Sequence, residues 1–127
     1  MTPEAEELVE RAVDTIYQIE ILMLLRRSPD RYWCVEEIAA ELRMTFTTVA
    51  SSVSRLHVNG LLAAGDANPV AYAYRYEPRS LVLHAGVESL ALVYEADPLP
   101  VLKAVLNKPP RALRTFSDAF VLRRRRD

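Results

Sequence analysis

Val35-Glu36-Glu37-Ile38-Ala39-Ala40-Glu41-Leu42, followed after a short turn by Thr48-Val49-Ala50-Ser51-Ser52-Val53-Ser54-Arg55-Leu56-His57-Val58-Asn59-Gly60-Leu61-Leu62, decides the fold of this 127-residue chain. Val35, Ile38, Ala39 and Leu42 recur at helical spacing, with Glu36, Glu37 and Glu41 on the opposite face, so residues 35–42 read as an amphipathic helix. Cys34 takes the N-cap position and Glu37 stands three residues on, where a capping box places its acid. Arg43-Met44 forms a turn, and Thr45 caps a further helix running to about Val58. Val49, Val53 and Leu56 are four and three apart and face inward. Asn59-Gly60 ends that helix in the left-handed conformation these residues tolerate. A hairpin follows, with strands over 61–64 and 71–77 and a turn at Gly65-Asp66-Ala67-Asn68-Pro69. Tyr72, Tyr74 and Tyr76 share one face of the return strand, and a period-two aromatic face on so small a hairpin covers core more often than it stacks nucleobases.

Before this segment, residues 3–27 read as one long helix capped by Thr2, with Pro3 in its first turn and glutamates at its positive end. Ser28-Pro29-Asp30 ends it, and Tyr32-Trp33 is a short extended piece. Residues 80–95 form a helix apolar on most sides, which needs cover on more than one of them. A short helix lies at about 99–107, Pro109-Pro110 breaks the chain, and a last helix at about 111–122 carries Leu113, Phe116, Ala119, Phe120 and Leu122 near one stripe. The expected fold is α+β and predominantly helical. Residues 1–79 form one domain, and residues 80–127 form a helical extension that dimerises or packs on the first helix.

The pieces "EEIAAEL", "TVASSVSRLHVNGLL" and "YAYRYEP" resemble the winged helix-turn-helix of transcriptional regulators, closest to the small bacterial MarR-like type, over about residues 15–78. That resemblance implies a two-stranded wing and a homodimer on double-stranded DNA. It also implies a recognition helix, about 45–58, in the major groove and a wing tip near Asp66–Val70 over the adjacent backbone or minor groove. With Val49, Val53 and Leu56 buried, the DNA-facing candidates are Thr45, Thr47, Thr48, Ser51, Ser52 and Arg55. Small hydroxyls permit close approach, and Arg55 can grip guanine or a phosphate. The dimer interface is expected at Leu81, Val82, Leu83, Val87, Leu90 and Val93, because the helix at 80–95 carries more apolar surface than a core of this size needs.

Charge sets a second reading beside the first. The net charge is −1, and residues 34–60 carry Glu36, Glu37 and Glu41 against Arg43 and Arg55. Phosphate neutralisation supplies most nonspecific DNA affinity, so a winged-helix adaptor that binds another protein is the alternative. Arg123, Arg124, Arg125 and Arg126 are the remaining DNA-contact candidates, because four cations exceed what capping a helix requires. Apolar runs such as Ile21–Leu25 are far too short to span a membrane. With a single cysteine and an acidic N-terminus, a cytoplasmic bacterial protein is expected. Cys34, placed at a helix N-terminus, could act as an oxidant sensor, although a small cap residue beside Trp33 is the simpler reading. Cys34, His57 and His84 are too far apart in sequence to suggest zinc. With only three glycines and no supported nucleophile or phosphate loop, neither catalysis nor a cofactor is expected.

Overall fold

The N-terminal segment breaks at residues 13–15. A computed structural model describes residues 1–68 and 71–109, with the side chains of 66–68 and 71–72 outside the description. In it, the expected long helix is two, α1 (Pro3–Ala12) and α2 (Ile16–Arg27). Val13 is extended, and Thr15 caps α2 by accepting from the Gln18 N–H at 3.1 Å. The Gln18 side-chain oxygen reaches back to the Asp14 N–H at 2.7 Å. This Thr-x-x-Gln pair is a start signal inside a stripe that otherwise reads as continuous. It rotates α2 so that Ile19, Ile21, Leu22 and Leu25 are all fully buried.

The central elements follow the sequence reading closely. They are β1 (Trp33–Cys34), α3 (Val35–Leu42), α4 (Phe46–Val58), β2 (Leu62–Asn68), β3 (Ala71–Tyr76), α5 (Leu81–Ala96) and α6 (Leu99–Leu106). The sheet has three strands rather than two, in antiparallel order β1-β3-β2, because Trp33 and Cys34 pair with Tyr74 and Ala73. Strand β2 also runs further than expected, through Asn68, with a register shift between Asp66 and Asn68. Gly65 lies inside this strand, not in a turn. A Cβ there would sit 2.5 Å from a ring carbon of Tyr32, so glycine admits the close approach of that ring. Gly60 does end the α4 segment at φ 83°, in the left-handed region.

One core joins the N-terminal, central and C-terminal parts. Ile38 of α3, Val49, Val53 and Leu56 of α4, and Leu61 are buried with the α2 residues. Val87, Leu90 and Ala91 of α5 and Val101 of α6 are fully buried in the same cluster, beside Leu8 and Val9 of α1. The division at residue 79 therefore does not separate two cores. Polar staples reinforce the junction. Arg26 donates to both oxygens of Glu88 at 3.0 and 2.6 Å, and the Tyr94 hydroxyl donates to Glu20. The Lys108 ammonium, almost fully buried, donates to the carbonyls of Val9, Glu10 and Val13 and to Asp14. It thereby closes the C-terminal end of α1, where unsatisfied carbonyls attract a cation. The expected helix at 111–122 and Arg123–Arg126 lie outside the described residues.

Candidate nucleic-acid interface

Helix α4 is positioned by its caps and its buried stripe. Thr45 accepts from the Thr48 N–H at 3.2 Å, and its hydroxyl donates to the Thr48 hydroxyl at 2.9 Å. Thr45 and Thr48 thus spend hydrogen-bonding capacity on the helix start. Val49, Val53 and Leu56 are buried as expected, and Ser52 is buried with them, which corrects its expected outward position. The reason is geometric: Ser52 stands three residues after Val49 and four before Leu56, on the buried stripe itself.

The face α4 leaves open is Thr47, Ser51, Ser54 and Val58, spaced four, three and four apart. Phe46 lies beside it, 56% exposed at the helix start. Ser54 and Phe46 are additions to the expected set. Ser54 is legible from its spacing to Ser51 and Val58, whereas the exposure of Phe46 contradicts its apolar character and needs the structure. Arg55 is half-buried on the flank.

No carboxylate lies on α4. Arginines stand at both of its ends. Arg43, exposed at the turn before it, has φ 55°, in the left-handed region unusual for a side chain of this kind. Beyond its C-terminal end, the Arg79 N–H donates to the Gly60 carbonyl at 2.7 Å. That bond lays the Arg79 guanidinium against Gly60, where a Cβ would meet its Nε and Nη2 at 2.8 Å. Arg79 is remote from α4 in sequence, and only the return of β3 brings it here. Among the described residues, Arg43, Arg55 and Arg79 have no ion-pair partner.

Two of the nearby acids are engaged. Glu37 pairs with Arg31 at 2.9 Å and Glu77 with Arg75 at 3.1 Å. The Glu37 carboxylate also accepts from the Cys34 N–H at 3.0 Å, and that bond holds its pKa below the ordinary value. Burial pushes the Cys34 thiol up, the reverse of what an activated thiolate requires. His57 packs edge-on to Tyr74, with ring centres 6.0 Å apart. The Tyr76 hydroxyl meets His84 Nδ1 at 3.1 Å, and Tyr76 is buried. Both tyrosines are thereby occupied in packing the wing base.

The expected dimer residues divide in two. Val87 and Leu90 are fully buried in the chain's own core, whereas Leu81 and Val82 are 86% and 78% exposed. Leu83 and Val93 are half-buried, and Leu92 is exposed as well. Beside them a groove of about 370 Å³ runs between α1 and α5, lined by Leu8, Val82, Leu83 and Gly86 with Glu4, Glu7 and Arg11. None of the described helices is long and apolar enough to cross a membrane.

No protein-family model matches the chain, and no curated protein sequence matches it. Solved structures do. A homodimeric winged helix-turn-helix DNA-binding domain from Mycobacterium bovis, a possible ArsR-family transcriptional regulator, aligns over 73% of this chain and 81% of its own, with TM-score 0.55 and 22% identity. A MarR transcriptional regulator from Methanosarcina mazei aligns over 97% and 84%, with TM-score 0.55 and 14% identity. A mutant of S. aureus MepR, bound to an oligodeoxyribonucleotide, aligns over 92% and 82%, with TM-score 0.56 and 14% identity. At these identities the likeness is one of fold: the chain has the winged helix-turn-helix fold, with α3 and α4 as its helix-turn-helix.

Proposed function

We propose that this chain is a DNA-binding transcriptional regulator that acts as a homodimer, with α4 in the major groove. One observation carries the reading. The open face of α4 bears small hydroxyls and no carboxylate, and arginines without intrachain ion partners among the described residues stand on its flank and at both its ends. In this reading Arg43 and Arg79 contact phosphates, Thr47, Ser51 and Ser54 face the groove, and Arg55 reaches it from the flank. The acidity of residues 34–60 weighs less than the sequence suggests, since Glu37 is paired within the chain. Arg123–Arg126 would add phosphate contacts from the tail. The DNA-bound and homodimeric winged-helix structures of like fold support the reading by analogy. Exposed Leu81, Val82 and Leu92 are the surface a second copy would cover.

An adaptor that binds another protein is the second reading, favoured by the exposed Glu36 and Glu41 on α3 and by exposed Val58 on α4. Fluorescence anisotropy with random duplex DNA at two salt concentrations separates the two. Binding that weakens with salt, with a shallower slope when residues 123–127 are deleted, supports the regulator. No binding at micromolar protein supports the adaptor.

A further inference from the structure

The first turn of a recognition helix is where base edges are met. The N-cap and first turn of α4 hold four side chains, Thr45 to Thr48, and they divide into two kinds. The Thr45 hydroxyl accepts from the Thr48 N–H and donates to the Thr48 hydroxyl, so Thr45 is spent on the cap and Thr48 is tied to it. Phe46 and Thr47 are exposed. A phenyl ring has no donor or acceptor with which to read a purine edge or a cytosine amine, and Thr47 presents one hydroxyl and one methyl. The apolar feature of the major-groove floor is the 5-methyl group of thymine.

Resting on the regulator reading above, we infer that Phe46, assisted by the Thr47 methyl, reads a thymine methyl at the edge of the binding site. Phe46 is thus a specificity-determining residue, not a folding one. Its exposure fits this role. A ring left 56% open at the start of a helix whose buried face is already complete gives the core little. Covered by a thymine methyl, it would lose that apolar surface to the interface. Labour is then divided along α4, with shape and methyl readout at the N-terminal end and any guanine contact left to Arg55 on the flank.

The test uses the full chain and duplexes selected by it from a random pool. In the best-bound duplex each thymine is replaced in turn by uracil, which removes the methyl and keeps the pairing edge. At one position the replacement should weaken binding about fourfold, the worth of burying one methyl. Phe46→Ala should weaken binding to the thymine duplex by at least as much and should no longer distinguish thymine from uracil there. Phe46→Leu should keep part of the discrimination. If Phe46→Ala binds as wild type does, or loses affinity equally on both duplexes while the thymine preference persists, the methyl contact is overturned and the regulator reading stands. If no duplex is selected or bound at all, both fall.

Discussion

At Arg43 a long charged side chain occupies a left-handed backbone conformation, φ 55°, where glycine is the usual residue. The conformation costs about 1–2 kcal/mol for an L residue. Arg43→Gly should therefore leave thermal stability unchanged or slightly raised, since relief of strain offsets the greater unfolded-state entropy of glycine. If Arg43 meets a phosphate, the same variant should weaken binding to all duplexes alike and lower the salt slope by about 1 per subunit, about 2 for the homodimer. A loss of stability would contradict the strain at Arg43, and full DNA affinity would contradict the phosphate contact. The serines give a paired test. Ser51→Glu places a carboxylate on the open face and should abolish DNA binding while the protein stays folded. Ser52→Glu buries the carboxylate in the core and should unfold it, as circular dichroism will report. The sequence discloses the buried Val49, Val53 and Leu56 through their spacing. It does not disclose Arg79, because contact with Gly60 depends on how the hairpin returns rather than on any local pattern.

At the scale of elements, sequence and structure agree wherever capping and periodicity point the same way, as in α3, α4, α5 and α6. They part at residues 13–15, where the stripe from Leu8 to Ile19 argues for continuity and the Thr15–Gln18 cap argues for a break. The cap prevails because ending α1 at Ala12 leaves its carbonyls to Lys108, a residue about a hundred positions away that no local reading connects to them. Lys108→Met keeps the stem and removes the ammonium. It should cost about 1.5–3 kcal/mol in urea denaturation, the range for hydrogen bonds made to a charged group. A loss within error of zero would mean that water satisfies those carbonyls equally well. The α2–α5 staple predicts a pH dependence. Chiefly through its hydrogen bond from Arg26, Glu88 has a folded pKa below its ordinary 4.5. Its contribution to stability is thus complete above about pH 4.5 and is lost as pH falls through the lower folded value. Glu88→Gln should flatten that part of the acid unfolding curve, and an unchanged curve would mean that the Arg26–Glu88 pair adds no stability there.

Across the whole molecule, α5 divides its apolar surface between two uses. Val87 and Leu90 complete the chain's own core, so the sequence overstates what this helix offers a partner. Leu81 and Val82 remain open beside the α1–α5 groove. Changing both to Glu should shift a homodimer to monomer in light scattering at tens of micromolar and weaken DNA binding in step. A wild-type chain that is already monomeric there would remove the dimer from the proposal. Whether the open face of α4 is the surface that meets duplex DNA is read by amide NMR of the full chain titrated with its selected duplex. The largest shifts should fall on Arg43, Phe46, Thr47, Ser51, Ser54 and Arg79, with α5 little changed. Shifts concentrated on α5 or α3, or no shifts at saturating duplex, would contradict it.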